Sequence, residues 1–361
     1  MKRRSILLLV GCILSLGTLA GLVFSGQREP EYEGRPLSSW LGDVDTSRVI
    51  VNQIIFVPTA APINRESSAT HAIRNMGTQA YPFLLQMLKE KDSAFKKSIL
   101  KKLGWQRSMK LGLLTAEEKQ YRARMAMYRL GTNAGLAWKQ ILLDPTFDRE
   151  LRLGATSWCQ TLPEEAPQMI PVMVRLMSEL QPDQQEFVTS AMGRFGPDIA
   201  VPLLVRQLQD ENYKIQLMSM RAIKFLGSAA RPAVPAVAQQ LKSANEEVGL
   251  AAANTLLSLD AHHLQALVYR MHHGELGKRV GAYWMTAREE REPEFVIPEL
   301  MRGLTDAEPE IRQAAAEGLT KFGMAAQKAL PALTNLLGDS KRYVRVAATN
   351  AIGSIVLRRG E

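Results

Sequence analysis

The sequence holds little with which to perform covalent or metal chemistry. Only two cysteines occur in 361 residues. Cys12 lies in an N-terminal apolar run and Cys159 in a predicted helix, which excludes a disulfide framework and a cysteine-based zinc site. Histidine is also scarce, with five residues. His262-His263 and His272-His273 flank one predicted helix, with Glu275 nearby. Ten residues of helix rise ~15 Å, so the two pairs cannot share an ion, and each reads as a surface turn feature. Neither a Gly-rich phosphate loop, a nucleophile elbow nor a convergent acid–base set is found. The expectation is therefore no catalytic residue, no cofactor and no metal site. Aromatic residues make up 6% of the chain, and Trp40, Trp105, Trp138, Trp158 and Trp284 are scattered. That dispersal suits packing better than a stacking platform.

What is present favours helices. Alanine, leucine and methionine are plentiful, and the 46% hydrophobic and 22% charged fractions suit a folded chain. At the start, Lys2, Arg3 and Arg4 precede an uncharged run from Ile6 to Phe24, followed by Glu29, Glu31 and Glu33. As a helix this run nearly matches a hydrocarbon core of ~30 Å. The positive flank keeps the N-terminus cytoplasmic and sends the remainder across. An uncleaved single-pass anchor is the leading reading. Cleavage after Thr18-Leu19-Ala20 is a second, and acylation of Cys12 in Leu9-Val10-Gly11-Cys12 is a third, with a short apolar region. The expected location is a bacterial inner membrane with the repeat domain periplasmic, or the periplasm itself after cleavage.

Internal repetition dominates the rest. An apolar residue, proline and further apolar residues recur around Pro82, Pro171, Pro202, Pro235, Pro298 and Pro331. The spacing implies a period near thirty-two, with proline-less slots at Leu136 and Ala266 and about twenty residues inserted between the first two units. A proline fits the first position of a helix, where its missing N–H is not needed. Gly77, Gly131, Gly196, Gly227 and Gly323 each follow an amphipathic stretch, as a left-handed helix cap requires. In the last full unit Ile311, Ala315, Leu319 and Phe322 share a stripe, and Leu333, Leu336 and Leu337 line the helix opened by Pro331. One unit is thus helix, tight turn, helix. Neither helix buries its stripe alone, so neighbouring units must stack.

The repeat has further marks. Leu304-Thr305-Asp306, Ile311-Arg312 and Ala314-Ala315 recur as Leu337-Gly338-Asp339, Val344-Arg345 and Ala347-Ala348. This pattern resembles the HEAT repeat, particularly the Ala-rich, phycobilin-lyase-like kind. The resemblance implies an all-α solenoid of about nine helix-turn-helix repeats, preceded by one N-terminal transmembrane or signal helix. It also implies a hydrogen-bonded ladder between repeats through Asp306, Arg312, Asp339 and Arg345. The unit with Asp210 and Ile215 departs from it, having Gln216 in place of arginine. The layout of leader, Tyr32-Glu33-Gly34-Arg35-Pro36-Leu37-Ser38-Ser39-Trp40-Leu41 and repeats is similar to exported bacterial HEAT-repeat proteins. The domains read as 1–26 membrane anchor or signal segment, 27–63 linker or docking segment, and 64–361 solenoid with a basic insertion around 91–118. Residues 41–65 read as an irregular linker lying along the first repeat, since a β-hairpin there lacks a turn signal.

Two surfaces stand out as candidates. From Phe95 to Leu130, Lys96, Lys97, Lys101, Lys102, Arg107, Lys110, Lys119, Arg122, Arg124 and Arg129 face only Glu117 and Glu118, which accounts for almost the whole net charge of +9. Anionic lipid or an acidic protein suits such a patch, and nucleic acid is disfavoured by the exported location. A solvated helix face is the plainer reading. The second surface lies four residues after each proline slot, where Gln86, Gln140, Arg175, Arg206, Gln239, Arg270, Arg302 and Asn335 stand. All are hydrogen-bonding and none is acidic. In HEAT-like solenoids the second helices line the concave face, so the row suits an extended ligand rich in acceptors. The function expected is a non-catalytic, membrane-tethered scaffold for a protein partner. The alternatives are a lyase-like enzyme acting on a chromophore-bearing protein and a basic-groove nucleic-acid binder.

Overall fold

The computed structural model describes residues 29–44, 68–103, 114–260, 263–289 and 292–357. The apolar run from Ile6 to Phe24 and Arg107 lie outside the described residues. Among those described, no helix is long and apolar enough to cross a membrane. The chain divides into two compact units, residues 1–148 and 149–361.

The first unit opens on a short hairpin, β1 (Glu31–Tyr32) and β2 (Arg35–Pro36), joined in antiparallel register with Tyr32 opposite Arg35. Its turn residues Glu33 and Gly34 both have positive φ, 51° and 71°. Two such residues are what a two-residue hairpin turn needs to match strand twist. Helix α1 (Leu37–Gly42) follows directly and buries Leu37, Trp40 and Leu41. It packs against α2 (Ser68–Met76) and α5 (Ala116–Leu130), while α3 (Tyr81–Lys89) and α4 (Ala94–Leu103) lie between those two in sequence. Trp40 is pinned by its indole N–H, which donates to the Tyr32 carbonyl at 3.2 Å. Helix α6 (Gly135–Leu143) completes the unit with Trp138 fully buried, its ring 5.2 Å from that of Tyr128. Helices α2/α3 and α5/α6 are two repeat pairs, and α4 is the inserted element.

The second unit holds six pairs and a final lone helix among the described residues: α7 (Arg149–Cys159) with α8 (Ala166–Met177), α9 (Pro182–Gly193) with α10 (Pro197–Gln207), α11 (Tyr213–Leu226) with α12 (Val234–Gln239), α13 (Glu246–Leu259) with α14 (Leu264–His272), α15 (Leu276–Thr286) with α16 (Pro293–Gly303), α17 (Pro309–Leu319) with α18 (Leu330–Leu336), and α19 (Arg342–Leu357). Its C-terminal core runs continuously from Met271 to Ile355, with Ile311, Leu319 and Leu333 wholly buried. Each such side chain contributes about 1.5–3 kcal/mol of transfer free energy. No helix here could bury its stripe without the next pair.

The backbone markers are largely where the sequence puts them. Gly77, Gly196, Gly227 and Gly323 have φ of 56°, 90°, 59° and 48°, the left-handed region in which a Cβ is costly. Gly131 opens a 3-10 turn. The proline slots need a correction. Pro82, Pro235 and Pro331 stand in the first turn of their helices, whereas Pro171, Pro202 and Pro298 lie inside α8, α10 and α16. In the latter three the segment after the glycine or loop already winds as α-helix. Before α12 and α18 it winds as a 3-10 turn, which postpones the α start to the slot.

The expected ladder between repeats is present. Arg312 of α17 pairs with Asp339 at 2.7 Å and also donates to the carbonyls of Asp306 and Ala307 at 2.8 and 2.9 Å. Arg345 donates to the carbonyls of Asp339 and Ser340 at 2.7 and 3.2 Å. Arg279 adds a rung to Asp306 at 2.6 Å. In the departing unit, Gln216 donates to the Asp210 carbonyl at 2.7 Å, replacing the bond that arginine makes to its own loop.

Candidate binding surface

The row after the proline slots is exposed, with one exception. Gln86, Gln140, Arg175, Arg206, Gln239, Arg302 and Asn335 all face solvent. Each proline-bearing slot shares that face, because residues four apart stack one above the other on a helix. Pro82, Pro202, Pro235, Pro298 and Pro331 are themselves exposed. Inside a helix, as at Pro202 and Pro298, a proline removes one hydrogen bond, and the carbonyl it leaves free is satisfied most cheaply by water. Proline therefore marks the solvent face, and the residue one turn later inherits the exposure.

Arg270 is the exception and corrects the expectation. It is 5% exposed and so cannot belong to an open row. Its slot residue is Ala266, which is fully buried. On α14 both residues face inward, whereas at the other proline-less slot Leu136 and Gln140 are exposed. Burial lowers the Arg270 pKa, while the nearby carboxylate of Glu275 works in the opposite direction. Arg302 is exposed but not free, since Glu299 holds it at 3.1 Å. The same carboxylate meets His272 at 2.9 Å. Among the described residues Arg175 and Arg206 have no side-chain partner, leaving two unpaired guanidinium groups on α8 and α10.

In the first unit, Gln86 and Gln140 meet across a groove of about 380 Å³ between α3 and α6. Pro82, Leu85 and Phe147 supply its apolar wall, and Lys89 and Asp144 close one side. Lys89 and Asp144 form an ion pair, and the Lys89 ammonium lies 4.6 Å from the centre of the Phe147 ring. The Lys89 ammonium, then the Thr146 hydroxyl and backbone N–H, hold the Asp144 carboxyl down at about 2. An acid so firmly ionised is a poor proton donor at neutral pH. The groove offers amide donors, amide acceptors and apolar contact, which is binding chemistry.

Much of the basic charge from Phe95 to Leu130 is paired with carboxylates. Lys96 pairs with Asp92 at 2.6 Å, and Lys119 with Glu90 at 2.7 Å. Arg122 pairs with Glu118 at 2.8 Å, and Arg124 reaches Asp148 at 3.7 Å. Lys97, Lys101 and Lys102 on α4 stay exposed. Among the described residues no group of three histidine, cysteine, aspartate or glutamate side chains converges to hold a metal ion. Cys159 is buried, which pushes its thiol up to about 12 and leaves it protonated. Trp284, read from the sequence as a packing residue, is 48% exposed on α15.

Residues 290–359 match the family model for HEAT repeats. No curated protein matches the sequence. Among solved structures, the chain is similar to a crystal structure of an engineered protein at 19% identity, covering 81% of this chain and 92% of that one with a TM-score of 0.38. A second engineered protein is also 19% identical, covering 60% of this chain and 95% of that one with a TM-score of 0.24. Residues 290–359, which contain the Arg312–Asp339 rung and the lone helix α19, are thus the part of the chain that matches HEAT repeats.

Proposed function

We propose that this chain is a non-catalytic scaffold, held at a bacterial inner membrane by its N-terminal apolar run, that grips an extended protein segment along the exposed row of its second helices. HEAT repeats typically mediate protein interaction. The observation that carries the reading is the exposure of Arg175, Arg206 and Gln239 on three successive second helices, α8, α10 and α12. Packed helices lie ~8–10 Å apart. An extended peptide rises ~3.3 Å per residue, so one row residue meets every third peptide residue. Arginine and glutamine both donate to main-chain carbonyls, and arginine also donates to a carboxylate in bidentate fashion.

The leader's charge pattern supports the location. Lys2, Arg3 and Arg4 before the run from Ile6 to Phe24 favour a single pass with the repeats on the periplasmic side, or release there after cleavage. The test is affinity capture by the full chain from native membranes, comparing wild type with the Arg175→Glu/Arg206→Glu double variant. The double variant loses the bound protein while its helical circular dichroism is unchanged. Equal capture by both proteins contradicts the reading.

A further inference from the structure

Helix α4 has no counterpart in the second unit, and its two sides differ in kind. Ile99, Leu100 and Lys96 are half-buried, and Lys96 is tied to Asp92 at 2.6 Å. The other carboxylate oxygen of Asp92 accepts the backbone N–H of Ala116 at 2.9 Å, which fixes the root of α4 to the start of α5. At 100° per residue the remaining side chains fall in one arc, in the order Lys97, Lys101, Ala94, Ser98, Lys102 and Phe95. All six are exposed, and Phe95 is 65% exposed. That arc contains three lysines, a bare phenyl ring at its edge, two small residues between them and no acid. Lys96, Lys119, Arg122, Arg124 and Arg129 each have a partner.

We propose that this face of α4 lies on an anionic bilayer, with Phe95 entering the headgroup boundary and Lys97, Lys101 and Lys102 against lipid phosphates. Small residues between long lysine arms let the helix approach a plane closely, and lysine stems cover apolar surface while their ammonium groups stay in water. A planar anionic surface rewards each lysine within a Debye length of ~8–10 Å. An acidic protein segment is a line rather than a plane, and it would leave Phe95 in water.

Locality supports the same target. The first residues after the leader, β1 to α1, pack on α2 and α5. Gly42 of α1 stands beside Arg122 of α5, two helical turns from the Ala116 N–H that anchors α4. The end of α1 and the root of α4 are thus both held by α5, at residues six apart along it. The inference therefore rests on the leader reading for the membrane's nearness, though not for its charge.

Hydrogen exchange of the α4 amides tests it, using the full chain in vesicles of phosphatidylcholine with or without phosphatidylglycerol. The anionic vesicles slow exchange by at least about tenfold, and raising salt to about 0.5 M removes most of the slowing. The Lys97→Glu/Lys101→Glu/Lys102→Glu variant loses it entirely at unchanged helicity. Phe95→Ser weakens the slowing but keeps its salt dependence. Equal exchange in both lipid compositions overturns the proposal, as does slowing by soluble polyglutamate without slowing by anionic vesicles, which assigns the face to an acidic protein. Flotation of the chain with pure phosphatidylcholine vesicles reports the leader separately. Flotation without lipid-dependent slowing refutes the α4 surface alone. Slowing without flotation supports the α4 surface and refutes only the tether.

Discussion

Arg312 and Asp339 face each other across the last helix pair and α19, with Nε to one carboxylate oxygen at 2.7 Å and a terminal nitrogen to the other at 3.2 Å. The remaining terminal nitrogen holds the carbonyls of Asp306 and Ala307. One guanidinium therefore closes its own loop and grips the next repeat. The pair is mostly out of water, with side-chain exposures of 16% and 6%. Removing one partner strands the other. Arg312→Ala should cost about 2 kcal/mol, between the small value of an open ion pair and the larger one of a buried pair. Arg312→Lys should recover only part, because an ammonium cannot make the bidentate contact. Urea denaturation of both variants checks this.

The same pair predicts a pH response. The Arg312 guanidinium hydrogen-bonded to Asp339 holds that carboxyl below its usual range, with the Lys341 backbone N–H helping and burial opposing. A carboxyl with a depressed folded pKa contributes stability in full above its unfolded pKa and loses it as pH falls through the folded one. Acid unfolding of Arg312→Ala should be shallower than that of wild type on this limb. Parallel curves would show that the pair contributes no proton linkage.

A third prediction concerns Gly303, which ends α16 against its neighbours. A Cβ there would stand 2.4 Å from the Tyr283 ring and 2.8 Å from the Ala315 Cβ. Tyr283 is 1% exposed and Ala315 is fully buried, so neither can retreat. Gly303→Ala should cost about 1–3 kcal/mol by overpacking. Thermal denaturation against wild type measures it.

In the first unit, Asp144 should titrate near 2 in a carboxyl NMR titration. Lys89→Ala should raise that midpoint toward the ordinary carboxylate value of about 3.9, because the largest charge-stabilising hydrogen bond is gone. An unchanged midpoint would mean that the two residues do not pair in solution, and that the groove beside Gln86 and Gln140 lacks its closed side.

Much of this was legible in the sequence because its signals are local. Proline four residues before Arg206 and Gln239 reports the solvent face directly, and the cap glycines report a backbone sign. The ladder was legible where both partners kept their types, as at Arg312 and Asp339. Arg279 escaped notice because His273 and Gly249 occupy the aspartate and arginine positions of the rung before it. There Glu246 meets His273 at 3.6 Å and the Tyr269 ring stacks on His273 at 4.2 Å. Arg270 misled because its slot residue, Ala266, faces the core, which a polar residue one turn later does not reveal. The basic insertion misled for a different reason. Asp92 pairs locally with Lys96 four residues on, whereas only the fold brings Glu90 and Asp148 to Lys119 and Arg124. The Glu33-Gly34 turn is a weak signal, since glutamate seldom takes a positive φ.

The central claim is that a protein segment lies on the exposed row of second helices. Site-specific photo-crosslinking in cells producing the full chain tests it most directly, with the photoreactive residue at Arg206 or Gln239 and, as the comparison, at exposed Lys224 on the first helix α11. The account predicts one shared protein adduct from positions 206 and 239 and none from 224. An adduct from 224 alone, or no adduct from either row position, would contradict it.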